Sequence, residues 1–215
     1  VRQDAYAARS HARAVATRDA GGYADELVAV GGVSRDERPR AITVDRLARL
    51  RPAFRPAAEG GTVTAGNACG VNDGAAAVAL VDAATYRRLD VPGLRVLATA
   101  TAGVDPQLPG LGLVPSARQA LDAAGRTLDD VDVVELNEAF AGQVLACCDA
   151  LGLDPARVCP EGGALALGHP WGASGAVLLV RLFTQLVRRN AGRTGLAAIA
   201  VGGGQGVAMV VERCP

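Results

Sequence analysis

From residue 94 onward the chain alternates short apolar runs with amphipathic ones, and this alternation limits the fold more than any other feature. Residues 94–102 read as a strand, 115–124 as a helix stopped by Gly125, 131–135 as a buried strand and 138–151 as a helix. Residues 174–189 carry apolar side chains at Val177, Leu178, Val180, Leu182, Phe183, Leu186 and Val187, the pattern of a long helix. Residues 196–201 and 207–211 are two further strands, and the GGGQG stretch between them reads as a hairpin turn. Strands alternating with helices imply α/β layers, and the closing hairpin makes the sheet mixed. Half of the residues are apolar but only 3% are aromatic. The core is therefore built from Ala, Val and Leu, small side chains that let helices lie close to a sheet.

The first part of the chain is less regular. Residues 2–20 read as an Ala- and Arg-rich helix ended by Gly21 and Gly22. Residues 26–30 suggest a short strand, 31–40 a polar loop, and 45–50 a helical turn before Arg51-Pro52. Residues 62–65 suggest a strand end and 66–74 a loop of small residues, either a tight turn or a backbone that approaches a ligand. Residues 75–81 form an apolar run expected to be buried, whose periodicity does not separate helix from strand. His11, among Arg and Ala, reads as a solvated surface histidine. The chain opens in a helical pattern without an initiating Met, so a preceding segment is expected.

Several function classes are excluded by composition. The 22 basic and 22 acidic residues balance, with no basic patch for nucleic acid and no acidic tail. No apolar run reaches the roughly 20 residues of a membrane span, and no signal peptide is visible. Five cysteines without CxxC spacing argue against a disulfide framework or a metal site and fit a cytoplasmic protein.

Chemistry concentrates in residues 161–178, EGGALALGHPWGASGAVL. His169 stands between Gly168, which permits close backbone approach, and Pro170, which fixes the next φ. A helix is expected to begin near Ser174, and a histidine ahead of a helix N-terminus is favoured as neutral imidazole. That form serves as general base or oxyanion donor; the plainer alternative is a histidine tying a loop to a carbonyl. Asn137 follows the strand at 131–135, at the strand end where open α/β sheets bind ligands. It is either the N-cap of the next helix or an amide that positions a water or carbonyl, and both roles are compatible. The GGGQG turn lacks the Lys-Ser/Thr of a phosphate loop. Its backbone N–H groups are better suited to an oxyanion, and a plain hairpin turn is the other reading.

Four ordered motifs, GTVTAGNACGVNDGAAAV (61–78), NEAFA (137–141), GGALALGHPWGASGA (162–176) and GGGQG (202–206), resemble those of the thiolase family, CoA-dependent acyltransferases that make or cleave 3-oxoacyl-CoA. The resemblance spans the chain but only about the second half of a family member. It implies an α/β fold with αβαβα layering, in which 1–62 is the later part of a loop domain, 63–92 the end of the N-terminal half and 93–215 the C-terminal half. It implies that His169 activates a nucleophilic cysteine and faces the thioester oxygen together with a water held by Asn137, and that the Gly202 N–H serves a second oxyanion hole. Ala65, Gly66 and Cys69 (usually Ser in the family) line the pantetheine arm, Ala139 and Phe140 the acyl site, and Arg38 or Arg40 meets the CoA phosphates. CoA and acyl-CoA enter as substrates, with no tightly bound cofactor and no metal, in an oligomer.

The sequence also departs from the family pattern. The acyl-accepting cysteine belongs to the half this sequence lacks, and Ala200 stands where the second catalytic cysteine is expected. Glu161 replaces an Asn before GGA, and Pro109 a Met near the substrate. The leading expectation is the C-terminal part of an acyltransferase that needs an N-terminal half and is inactive alone. The alternative is a CoA-binding scaffold that has lost the Claisen chemistry, and a third possibility is a truncated product.

Overall fold

The computed structural model describes residues 2–214; Val1 and Pro215, the outer ends of the first and last expected segments, lie outside them. In chain order the helices are α1 (Arg2–Asp19), α2 (Val44–Leu47), α3 (Ala83–Leu89), α4 (Leu113–Ala124), α5 (Ala141–Leu151), α6 (Ala164–Leu167) and α7 (Ser174–Phe183). The strands are β1 (Gly93–Gly103), β2 (Val133–Leu136), β3 (Thr194–Val201) and β4 (Gln205–Cys214). These elements belong to two compact units, Val1–Asp73 with Asn137–Trp171, and Gly74–Leu136 with Gly172–Pro215.

In the first unit α1 is the frame. Ala and Arg favour helix, and Asp4 in the first turn and Arg18 in the last complement the helix dipole. Asp4, Ala7, His11 and Ala14 recur at helical spacing on its buried face, with Tyr6 and Ser10 beside them. The helix packs on α5 and α6. Its half-buried Arg9 and Arg13 bind carbonyls: Arg9 donates to Pro155 O at 2.5 Å, and Arg13 to Val158 O at 2.8 Å and Ala156 O at 2.7 Å.

The second unit is built on a mixed sheet of order β1-β4-β3-β2. The β3–β4 hairpin and the β1–β4 pair are antiparallel, while β2 runs parallel to β3. Alternate residues face opposite sides of a sheet. Val133, Ala197 and Val211 pack with Leu178, Leu182 and Leu186 from α7 and its continuation. Val134, Leu136, Leu196, Ala198 and Val210 are buried as well, and α4 contacts β1, β3 and β4. Both faces of the sheet are thus covered, as the small apolar residues of the sequence suggest.

Four expectations are corrected. Residues 26–30 form no strand; the Val30–Val33 bridge is isolated. The helix expected at 138 starts at Ala141 with Phe140 as its N-cap, so Asn137 caps nothing. The helix expected to run to 189 gives way after Phe183 to a π-helical turn, Thr184–Arg188. The apolar run at 75–81 is neither helix nor strand and is mostly exposed, with Leu80 at 79%. No backbone hydrogen bond engages residues 74–81. To be buried, an apolar segment needs pairing partners for its backbone groups, and none of the described residues supplies them.

Candidate functional site

The candidate site lies in the first unit and is assembled by backbone pairing around residues 67–71. On one edge Cys69 N donates to Ala139 O at 2.9 Å and Ala141 N donates to Asn67 O at 2.9 Å, a short antiparallel bridge between Ala68 and Phe140. On the other, His169 N donates to Gly70 O at 2.9 Å, and Val71 bridges His169 in parallel. Asn67 stiffens the segment: its Oδ1 accepts from Thr64 N at 2.8 Å, and its Nδ2 donates to Asp4 Oδ1 and Thr62 O, both at 3.0 Å. Gly168, at φ 105°, turns the chain into His169; a side chain there would also strike Asn72.

This arrangement brings Asn137 and His169 together. Asn137 is buried, and its Nδ2 lies 3.3 Å from His169 Nε2. An amide N–H only donates, so Nε2 facing it holds a lone pair and the ring proton sits on Nδ1. Burial lowers the His169 pKa below 6.5. The neutral ring was expected from a helix end; its cause here is desolvation. A neutral imidazole can take a proton from a thiol or hydroxyl that displaces the amide at Nε2, and once protonated it can donate to an oxyanion.

The remaining site residues fall as follows. Ala139 is half-buried beside Cys69, and Phe140 packs edge-on against Phe54, with centroids 6.2 Å apart. Ala65 is exposed, and Gly66 is buried against Leu47 and Leu50. Arg38 lies against Gly70, where a side chain would collide with its guanidinium, so this arginine borders the Cys69 segment. Arg40 is exposed, and its backbone N–H donates to His11 Nδ1 at 3.4 Å. That contact overturns the surface reading of His11, which is buried and whose pKa falls to about 4 through desolvation and the nearby Arg40 and Arg38. Gly202 belongs to the second unit, exposed in the turn between β3 and β4, with open space at its Cα. Ala200 lies in β3 opposite Gly206.

The sequence reading passed over Phe54 and Asn67, and gave Glu138 no role beyond its place next to Asn137. Asn67 had a signal, its place in the Gly/Asn cluster. Three of the cysteines are held away from the thiolate form: burial pushes the Cys69 thiol up against the pull of Arg38, Cys147 up to about 12 and Cys148 up to about 11. Among the described residues no His/Cys/Asp/Glu group could hold a metal, and no helix is long and apolar enough to cross a membrane.

A mixed sheet covered by helices in one unit and, in the other, a neutral histidine held against an asparagine amide define an α/β protein with a side chain able to accept a proton. Residues 92–213 match the family model of the thiolase C-terminal domain and residues 1–84 that of the thiolase N-terminal domain. The chain belongs to the thiolase family. It is 49% identical to an acetyl-CoA acetyltransferase of Pseudomonas aeruginosa PAO1, over 98% of this chain and 56% of that protein. It is 48% identical to a beta-ketoadipyl-CoA thiolase of the same organism, over 98% of this chain and 55% of the relative. The crystal structure of the Bacillus anthracis acetyl-CoA acetyltransferase superposes with a TM-score of 0.91 at 39% identity, over 99% of this chain and 56% of that one. That of human mitochondrial 3-ketoacyl-CoA thiolase in complex with CoA gives 0.89 at 35% identity, over 99% and 54%. The chain therefore spans little more than half the length of the relatives it matches.

Proposed function

We propose that this chain is the base-and-oxyanion part of a thiolase-type acyltransferase acting on CoA thioesters, and that the acyl-accepting thiol comes from a chain or segment corresponding to the N-terminal half of its relatives. The observation that carries this reading is the Asn137–His169 contact of 3.3 Å, held from both edges of residues 67–71. His169 takes the thiol proton, and the thiolate attacks the thioester carbon. The oxygen of that carbon gains a negative charge, stabilised by the new imidazole N–H and by a water held on Asn137. Collapse breaks the bond to the CoA sulfur, the departing thiolate takes the proton back from His169 to leave as CoA thiol, and the acyl group remains as a thioester of the accepting cysteine. Ala139, Phe140, Ala65, Gly66 and Cys69 flank the acyl and pantetheine arms, Arg38 or Arg40 meets the phosphates, and the Gly202 N–H serves the second oxyanion hole. The segment boundaries 1–62, 63–92 and 93–215 belong to the same reading.

Residues 74–81 support the partner: an exposed apolar stretch whose backbone pairs with none of the described residues suits pairing with another chain or segment. The working unit is then an oligomer. No disulfide joins the five cysteines, which suits the cytoplasm.

Ala200 favours a second reading, a CoA-binding scaffold without carbon–carbon chemistry, because alanine transfers no proton. Both readings are tested by mixing the chain with a polypeptide corresponding to the unmatched N-terminal part of the P. aeruginosa acetyl-CoA acetyltransferase. Thioester exchange by the mixture, absent from either part alone, is the expected result. Leu80→Lys should weaken assembly. Turnover of acetoacetyl-CoA by the isolated chain would refute the need for a second polypeptide, and CoA binding without exchange by the assembled mixture would select the scaffold.

A further inference from the structure

Glu138 is adjacent to Asn137 in sequence, lies outside any helix and is 1% exposed. Its carboxylate collects three donors. Tyr6 Oη donates to Oε1 at 2.8 Å, and Ser10 Oγ donates to Oε2 at 2.7 Å. Leu165 N donates to Oε2 at 3.1 Å. Ser10 Oγ in turn accepts from Gly163 N at 3.2 Å. None of these partners is a cation; Arg9, lying 4.6 Å over the Tyr6 ring, adds favourable charge from a distance. The fit is close, since a Cβ on Gly163 would stand 2.6 Å from Glu138 Cδ.

A carboxylate taken out of water is costly unless its oxygens are bonded. Burial raises the Glu138 pKa while the three hydrogen bonds oppose the rise. An apolar side chain would fill the same space without that cost. What the carboxylate adds is a fixed geometry between three pieces of chain. Tyr6 and Ser10, one helical turn apart, anchor it to α1. Gly163 and Leu165 tie it to the start of α6, which runs directly into Gly168 and His169. Its own backbone carries Asn137. Residues 67–71 hold the pair from one side by backbone pairing, and the carboxylate holds both ends from behind.

We propose that Glu138 is a positioning residue that sets the distance between Asn137 and His169 by clamping the 163–165 turn to α1. The proposal rests on the reading that this pair is the working pair, but its geometry is measurable without any reaction.

The test is a histidine NMR titration of the chain, which has two histidines to resolve. In Glu138→Ala the His169 resonances should move, and its pKa should rise toward 6.5 as water reaches the ring. The His11 titration should stay in place. Tyr6→Phe, which removes one donor and keeps the packing, should move His169 less and in the same direction. Glu138→Gln, which retains some of the bonds, should fall between wild type and Glu138→Ala. Val144→Ala, a buried truncation in α5 of the same unit, should lower the melting temperature and leave His169 unmoved. An unchanged His169 titration in both Glu138→Ala and Tyr6→Phe overturns the proposal, as does an equal shift in Val144→Ala. If the titrations behave as expected while the assembled enzyme stays inactive, the positioning role stands and the acyltransferase reading fails.

Discussion

Asn137→Ala tests the electrostatic argument at the site most directly. The amide N–H, 3.3 Å from His169 Nε2, can donate only while that nitrogen is unprotonated. The contact therefore stabilises neutral imidazole over imidazolium. A neutral hydrogen bond contributes about 0.5–1.5 kcal/mol net, and a separation at the long end of the range places this one near about 0.5–1 kcal/mol. Its loss should raise the His169 pKa, because that preference for the neutral ring disappears. The cavity also admits water, which acts in the same direction by relieving the desolvation that lowers the pKa. Asn137→Asp should raise it further, because a carboxylate beside the ring favours imidazolium. The assay is a titration of His169 followed by nitrogen-edited NMR, with His11 assigned by its own substitution. The linkage has a definite sign. A histidine held below its unfolded pKa costs stability as pH falls through about 6.5, so Asn137→Ala should lessen the acid loss contributed by this site. A His169 pKa that is unchanged or lower in Asn137→Ala would refute the donor role of the amide.

His11 should make the first unit acid-sensitive. Its pKa of about 4 against 6.5 corresponds to stability of the order of 3 kcal/mol at neutral pH, lost progressively as pH falls from about 6.5 to 4. Urea unfolding of wild type and His11→Gln at pH 7.5 and 4.5 should show a smaller acid loss in the variant; equal losses would contradict the assignment. Ala200→Cys, tested in the assembled protein, should restore carbon–carbon bond cleavage by about 100-fold or more, the scale of a positioned acid–base group, and leave thioester exchange nearly unaltered. Acetoacetyl-CoA thiolysis against acyl exchange separates the two, and no gain in thiolysis would count against the placement of Ala200.

The second unit was legible because its pattern is local. The alternation of apolar runs places β1, β2 and β3, and the glycine turn forces β3 and β4 into a hairpin. Gly168 was legible for the same reason, since the need for a positive φ is written at the residue itself. What failed were readings that depend on partners distant in sequence. Asn137 looks like an N-cap because a helix follows, yet residues 139–141 are bonded to 67–69, and that pairing delays the helix to Ala141. His11 looks exposed among arginines, but the loop at 38–40 closes over it. Glu138 looks like a first-turn helical acid, whereas its partners lie on α1 and at Leu165. The apolar run at 75–81 predicts burial, and burial requires a neighbour that the described residues do not provide.

These differences bear on the role proposed for His169. Had its neutrality come from a helix end, a fixed dipole would hold the ring neutral whatever approached it. Burial acts otherwise. Desolvation disfavours imidazolium only until an anion arrives to pair with it. A thiol brought beside Nε2 can pass its proton across because the thiolate it becomes stabilises the imidazolium it creates. The same low-dielectric surroundings that lower the His169 pKa strengthen that pair. In this scheme the isolated chain rests in the neutral state with Asn137 Nδ2 donating to the lone pair. Proton transfer turns that lone pair into an N–H, ends the amide contact, and frees the Asn137 donor to hold the water that faces the thioester oxygen. One proton transfer thus prepares both oxyanion donors. Under the proposals made above, a spacing set by residues 67–71 on one side and Glu138 on the other would let the exchange occur without rearrangement of the backbone.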